Sequence, residues 1–188
     1  NMFMNPNILR ELSLEFRNQT YTPDFYSAYY FPYSGKDFLN PPRADKKVAY
    51  HVSESIHDMA TKTSYLRRLL DSQNLSQTPL YITEYSAFIS ESNTLNDSVY
   101  PALFIIYQAL NNYRTVNMCA YWLVSDISLE YHNPASLLFG GSGLISRDGL
   151  FKPSCFAYTL LNMLGSQLVS QGDHYVITRD DDGTNQIL

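Results

Sequence analysis

The sequence predicts the last part of a (β/α)₈ barrel, an α/β fold, followed by the start of a β-sandwich. Amphipathic helical segments alternate with short β-branched and aromatic runs through residues 1–166, which is typical of parallel strands joined by crossover helices. Long polar loops follow the C-terminal end of each strand, where a barrel builds its active-site face. Residues 167–188 instead contain short runs separated by Gly-Asp and Asp-Gly turns, which favour antiparallel strands. A doubly wound sheet is the alternative, but the long loops and the β tail favour the barrel.

The individual helices and strands are predicted from the spacing of apolar residues and from the capping, proline and glycine residues that bound them. Asp45 can cap a long helix, and Pro153 and Gly165 begin and end the last one. Three strands cannot close a barrel, so we expect self-association or association with a missing N-terminal barrel half to cover the open sheet edges. The predicted helices are 7–17, 45–72, 96 or 97 to 113, and 154–164, and the predicted strands are 24–31, 79–85 and 118–124. In the third helix the inward residues are expected to be Ala102, Leu103, Ile106, Ala109 and Leu110.

Composition excludes several classes of function. The 188 residues carry a net charge of −5 with no basic stripe, so this segment is not expected to contact nucleic acid. No run approaches the roughly 20 apolar residues of a membrane span, and the N-terminus does not resemble a signal peptide. Cys119 and Cys155 are interpreted as buried hydrophobes, and no motif has metal-ligand spacing. We therefore expect a cytoplasmic protein without a cofactor or metal.

Glu84 is the most informative single residue. It ends the run Pro79–Tyr85, whose apolar and aromatic residues predict a buried parallel strand. A carboxylate at the C-terminal end of such a strand is where a barrel places its chemistry. The alternative is a strand-end glutamate that faces solvent. The chain also has 16 Tyr, 10 Phe and 1 Trp, whose rings could stack on sugars or fill the core.

Three stretches, in matching order and spacing, resemble the C-terminal half of glycoside hydrolase family 39, the β-xylosidase family. Leu80–Tyr85 is similar to the nucleophile strand, and Ala120–Asp126 is similar to the signature of strand eight. Gly140–Leu144, followed by Lys152 and Pro153, is similar to a Gly-Gly-Phe-Gly-Leu loop and the final barrel helix. The resemblance implies that the chain covers about strands six to eight.

The resemblance also implies site residues. Glu84 would be the nucleophile of a retaining mechanism, which needs a second carboxyl group as acid/base. Tyr85 and Trp122 could form walls of a site for a small xyloside-like saccharide, and Glu130 would accept hydrogen bonds from its hydroxyls. The family places its acid/base in an Asn-Glu-Pro motif on strand four, and this sequence contains no Asn-Glu-Pro.

The site also departs from the family pattern. Tyr29 occupies the position of a histidine in the family's His-x-Tyr segment, with Phe31 in the position of its tyrosine. Ser86 replaces an asparagine expected two residues after the nucleophile. These changes alter hydrogen bonding and pocket shape around Glu84. We count Tyr29 and Ser86 among the expected substrate-binding residues.

Two functional hypotheses follow. The departures favour a catalytically impaired, carbohydrate-sensing module of a bacterial AraC-type transcription regulator. The intact Glu84 strand favours part of an active β-xylosidase with Glu84 as the nucleophile. Asp126 is expected to be a structural hydrogen-bond acceptor from loop backbone rather than a catalytic acid.

Overall fold

The computed structural model describes residues 10–11, 14–15, 22–32, 55–88, 93–127 and 136–188. Of the predicted first helix, residues 10, 11, 14 and 15 are helical, and the others lie outside the described residues. The main elements in chain order are β1 (Tyr26–Tyr30), α1 (Asp58–Ser72), β2 (Leu80–Tyr85), a 3₁₀ turn (Thr94–Asp97), α2 (Tyr100–Asn112), β3 (Met118–Tyr121), α3 (Pro153–Asn162), β4 (Gln167–Gly172), β5 (Tyr175–Arg179) and β6 (Asn185–Ile187).

The first sheet is parallel, with strand order β1-β2-β3. This confirms the predicted alternation of parallel strands and helices. It also places all three carboxyl ends, and the loops that follow them, at the same edge of the sheet. Closure into a barrel stays a prediction.

One face of this sheet carries the core. Leu80 and Ile82 of β2 and Ala28 of β1 are buried together with Met59 and Leu66 of α1. Successive strand residues point to opposite faces, so Ser27 lies on the other side of the sheet from this core, and it is exposed. The helices therefore cover one face, and burial of their apolar side chains supplies most of the stabilisation.

Arg67 of α1 fastens the amino ends of β2 and β3. Its guanidinium donates to the carbonyl oxygens of Thr78 at 2.9 Å and Thr115 at 3.3 Å, and to Asn117 Oδ1 at 3.3 Å. Asn117 Oδ1 also accepts from the backbone N–H of Leu80 at 2.9 Å. One planar cation thus satisfies backbone acceptors that precede two neighbouring strands.

Several predicted boundaries were wrong. The helix predicted from Asp45 begins at Asp58, because residues 55–57 form a turn in which Asp58 N donates to Ser55 O at 3.2 Å; residues 45–54 lie outside the described residues. The next helix begins at Tyr100, since residues 94–97 form a separate 3₁₀ turn and Pro101 favours the first helical turn. Strand β3 ends at Tyr121 rather than at residue 124.

The predicted inward face of α2 was also wrong in part. Phe104, Ile105 and Gln108 are buried, whereas Leu103 is 59% exposed. The helix is apolar on most sides, so hydrophobicity alone could not select the face. Gln108 is buried because its amide donates to Ile56 O at 3.1 Å. Leu103 instead lines a groove of about 1260 Å³ between α2 and β4.

The second sheet is antiparallel, with order β4-β5-β6, as the turn signals predicted. Its connection to α3 is short, and Gly165 N donates to Thr178 Oγ1 at 2.7 Å. Gln171 Nε2 of β4 donates to Leu110 O of α2 at 3.1 Å. The sheet is therefore joined by one hydrogen bond to the connection that follows α3 and by another to α2. Within the described ranges, no helix has the length and apolarity needed to cross a membrane.

Candidate active site

Glu84 lies near the carboxyl end of β2, the central strand of the parallel sheet. Tyr85, the next residue, points into the helix-covered core, so the side chain of Glu84 lies on the opposite face. The glutamate is half-buried, and burial raises the pKa of its carboxyl above the usual value of 4.5. The group is therefore accessible to a ligand and is held in a partly desolvated position.

Tyr29 is the neighbour of Glu84 on β1. Their Cα positions are partners in the parallel register, directly after an irregularity between Ala28 and Tyr29. The Tyr29 ring packs against Phe31, with ring centroids 6.2 Å apart. The two predicted site residues Tyr29 and Glu84 are therefore brought together.

Tyr85 is placed away from Glu84. It is 2% exposed, its hydroxyl lies 3.1 Å from that of Tyr158, and its ring contacts Phe104 and Tyr121 on the helix side of the sheet. Burial raises the pKa of Tyr85 far above the usual range, with a further rise from Tyr158. Tyr85 was expected to form a wall of a sugar site, but it faces the core, because residues adjacent along a strand point to opposite faces.

Ser86 is fully buried at the end of β2. Its hydroxyl has no well-aligned hydrogen-bond partner among the described residues, although it lies close enough to the Tyr121 hydroxyl to affect its titration. Burial raises the pKa of Tyr121 to about 12, and the nearby Ser86 hydroxyl acts in the opposite direction. Ser86 therefore lies beside the core tyrosines, and no part of its side chain is open to a ligand in this structure.

Trp122 follows β3 directly and is 40% exposed. Its backbone N–H donates to Tyr85 O at 2.8 Å, which holds the residue beside the end of β2. The peptide bond between Trp122 and Leu123 is cis. A large ring is thus presented to solvent at the carboxyl edge of the sheet. Glu130, the remaining predicted site residue, lies outside the described residues.

A buried cluster of charges, which sequence reasoning missed, joins the loops at this edge. Lys152 Nζ lies 2.7 Å from Asp97 Oδ1 and 2.6 Å from Asp126 Oδ2, and it donates to Gly141 O at 2.8 Å. Asp126 Oδ1 accepts from Gly143 N at 2.7 Å, which confirms its predicted role as an acceptor from loop backbone. We call Lys152, Asp97 and Asp126 the lysine clamp. One signal for this cluster was available in the sequence: Lys152 stands between a phenylalanine and the proline that begins α3. A lysine that is buried beside such residues needs a charged partner.

The glycine run 140–143 fits tightly against this clamp. A Cβ atom on Gly141 would lie 2.4 Å from Asp126 Oδ1. Gly140 has a φ of +84°, and its Cβ would lie 2.5 Å from the backbone of Asn93. The run is therefore a structural contact between loops and not a phosphate-binding turn. The described ranges contain no group of three or more His, Cys, Asp or Glu side chains that could hold a metal ion.

Comparison with known proteins gives a consistent result. Residues 19–187 match the model of the family described as Glycosyl hydrolases family 39. The chain is 30% identical over 131 residues to a β-xylosidase from Geobacillus stearothermophilus, covering 70% of this chain and 26% of that protein. It is 24% identical over 140 residues to a β-xylosidase from Caldicellulosiruptor saccharolyticus, covering 71% of this chain and 28% of that protein.

Solved structures share the fold. A monomeric β-xylosidase from Caulobacter crescentus CB15 superposes with a TM-score of 0.77 at 24% identity, covering 92% of this chain and 34% of that chain. The GH39 enzyme from Xanthomonas axonopodis pv. citri gives the same TM-score and identity, covering 91% and 33%. The present chain thus spans about a third or less of the length of the proteins that it matches.

Proposed function

The chain belongs to glycosyl hydrolase family 39, and on that premise we propose that it is the nucleophile-bearing part of a retaining hydrolase that acts on β-xylosides. The observation that carries the proposal is the position of Glu84, half-buried near the carboxyl end of the central parallel strand and on the face opposite the helices. The names of the related β-xylosidases support the substrate class.

The proposed mechanism has two steps. In the first, the Glu84 carboxylate attacks the anomeric carbon and the leaving oxygen takes a proton from a second carboxyl group, which forms a covalent glycosyl-enzyme. In the second, water attacks the anomeric carbon, the bond from that carbon to the Glu84 oxygen breaks, and the second group, now a carboxylate, takes the proton from the water. Retaining enzymes hold the two carboxyl groups about 5–5.5 Å apart. The second group is expected on a strand other than β1, β2 and β3, because the sequence lacks the Asn-Glu-Pro motif.

The remaining site residues have supporting roles in this proposal. Tyr29 is the register partner of Glu84 and would border the sugar ring beside the nucleophile. The exposed ring of Trp122 would stack on an apolar face of the sugar, as aromatic side chains do through their flat surfaces. Glu130 would accept hydrogen bonds from sugar hydroxyls, a role that rests on the family resemblance.

A covalent trap tests the role of Glu84 directly. The full protein that carries this chain is treated with a 2-deoxy-2-fluoro β-xyloside that has a good leaving group. We expect one added glycosyl mass, which peptide mapping locates at Glu84, and no label on Glu84→Gln. The matched control is Asp148→Asn, which alters an exposed carboxylate paired with Arg147. A label on another residue, or equal labelling of Glu84→Gln, would refute the assignment.

A second candidate function is carbohydrate sensing without cleavage, in a cytoplasmic bacterial regulator of the AraC type. It is favoured by Tyr29 and by the buried Ser86, which stand where the family resemblance expects a histidine and an asparagine. Calorimetric binding of xylose or xylobiose without hydrolysis would support it, as would helix-turn-helix segments encoded in the same gene. A reading frame without a DNA-binding segment would exclude it.

The open edges of the parallel sheet define the expected protein partner. Among the described residues, β1 and β3 each pair on one side only, with β2. Unpaired strand edges recruit further strands. We therefore expect the remaining barrel strands, or a second copy of this chain, to cover them. Light scattering on this segment alone would test the idea, and a well-ordered monomer would contradict it.

A further inference from the structure

Lys152 is a buried cation that lies between two carboxylates. Its side chain is fully buried, its ammonium forms ion pairs with Asp97 and Asp126, and it donates a hydrogen bond to the carbonyl of Gly141. Asp126 is fully buried as well, and the side chain of Asp97 is 12% exposed. Charges are rarely buried to this degree unless they are paired and hydrogen-bonded.

Each carboxylate of the clamp serves two partners. One oxygen of Asp97 binds Lys152, and its Oδ2 accepts from Gly140 N at 2.6 Å. Asp126 divides its oxygens in the same way between Lys152 and Gly143 N. The backbone of residues 140–143 is therefore held at three points by the clamp: two amide donors and one carbonyl acceptor.

The three clamp residues come from two connections at the carboxyl edge, one after β2 and one between β3 and α3. Asp97 ends the 3₁₀ turn that follows β2, the strand of Glu84. Asp126 lies five residues beyond the end of β3, and Lys152 immediately precedes α3. The clamp therefore fixes the loops that leave β2 and β3 relative to each other.

Stability alone is a weak explanation for such a cluster. Apolar residues of similar volume often stabilise a protein as well as a buried ion pair does, because the charges lose their hydration. A cluster of directed contacts, however, specifies one arrangement of flexible loops. We propose that Lys152 is a positioning residue for the sugar site: it holds the loops after β2 and β3 in the arrangement that Glu84 and Trp122 require. The inference rests on the proposed function.

Arg67 provides a matched control at the other end of the sheet. It is also a cation that binds carbonyl oxygens from two connections, but it acts at the amino ends of β2 and β3. Contacts at the amino end of a barrel serve stability, whereas the carboxyl end carries the chemistry. Removing Arg67 should therefore lower stability without altering the loops beside Glu84.

The experiment compares Lys152→Met, Asp97→Asn and Arg67→Met in the full protein that carries this chain. We measure hydrogen exchange at the amides of Gly140 and Gly143, together with kcat and KM for an aryl β-xyloside and the Kd for xylobiose. We expect exchange at these amides to rise about tenfold or more in the first two variants. We also expect kcat/KM or sugar affinity to fall by about tenfold or more. Arg67→Met should leave both measurements unchanged at a temperature where it is folded.

Each outcome decides the inference. Unchanged sugar affinity and turnover in a folded Lys152→Met would overturn it, and so would equal losses in Arg67→Met. If Lys152→Met does not fold, Asp97→Asn decides, because it leaves the pair between Lys152 and Asp126 in place. A wild-type protein that neither binds nor cleaves xylosides would refute the proposed function, and amide exchange alone would then show whether Lys152 holds the loops.

Discussion

Tyr29 and Glu84 are register partners across β1 and β2, directly after a register shift: Ala28 pairs with Ile82 and Tyr29 with Glu84, so that the pairing skips Thr83 of β2. The shift in register decides which β1 side chain stands beside the glutamate. An aromatic ring therefore takes the place next to the half-buried carboxylate, where the family resemblance expects a histidine.

Removing the Tyr29 ring should weaken sugar binding. Tyr29→Ala loses the aromatic surface beside Glu84. We expect the Kd for xylobiose to rise about tenfold, which corresponds to the free energy typical of an aromatic contact. Tyr29→Phe keeps the ring and should lie closer to wild type. Tyr113→Ala removes another half-exposed tyrosine, beyond the end of α2, and serves as the control. Equal affinities in Tyr29→Ala and wild type, measured by calorimetry, would contradict the assignment.

The pH dependence of activity should report the raised pKa of Glu84. Attack on the anomeric carbon requires the ionised carboxylate, and burial shifts the pKa of that group above 4.5. The acidic limb of kcat/KM should therefore fall at a pH above the value for a free glutamate. A limb at or below 4.5 would mean that a different group controls it.

The free energy of unfolding should fall as the Glu84 carboxyl ionises. Because the pKa is raised in the folded state, protonated Glu84 is favoured there, and the folded state loses stability as pH rises through the folded-state pKa. Glu84→Gln removes this loss. Denaturant titrations should show that the variant gains on wild type as pH increases from below 4.5, and that the gain levels off once the carboxylate is fully ionised. A gain that shrinks with rising pH would contradict the direction of the shift.

The hydroxyls of Tyr85 and Tyr158 should be energetically coupled. They lie 3.1 Å apart and join the central strand to α3. Either single change to Phe should cost about 1 kcal/mol of unfolding free energy, since it leaves one buried hydroxyl unpaired. The double variant should cost less than the sum, with a coupling of roughly 0.5–1.5 kcal/mol. Tyr175→Phe, which alters an exposed contact with Ser170, is the control and should change stability by less than about 0.5 kcal/mol.

Gly140 and Gly149 form a natural comparison for the tight loop. Both have left-handed backbone, with φ of +84° and +87°, so an alanine at either position incurs the same cost of about 1–2 kcal/mol. A Cβ on Gly140 would also lie 2.5 Å from Asn93 backbone, whereas Gly149 has nothing within 4 Å. Gly140→Ala should therefore cost about 1–3 kcal/mol more than Gly149→Ala in thermal or denaturant unfolding. Equal losses would show that the loop can open at no cost.

The parallel sheet and the position of Glu84 could be predicted because they depend on local signals. A run such as Pro79–Tyr85 has the composition of a buried strand, and alternation of strands and helices fixes their direction. The family resemblance, which rested on three motifs in register, is confirmed by the match over residues 19–187.

The face to which a side chain points, and the residues that it contacts, could not be predicted in the same way. The position of Tyr85 depends on a register irregularity between Ile82 and Tyr85, which no local pattern reveals. The buried face of α2 depends on which of its apolar sides meets the sheet. The lysine clamp joins residues that are 26 to 55 positions apart, so its members become meaningful only when the loops meet in space.

The short junction between α3 and β4 has a practical consequence. A Cβ on Gly165 would lie 2.4 Å from the backbone of Arg179, so the turn is pressed directly against β5. A fragment that stops near residue 166 would lose Thr178, the acceptor of Gly165 N, and Gln171, the donor to Leu110 O, and should yield insoluble protein. The second sheet therefore supports the part of the chain that precedes it and should be kept in any expressed fragment.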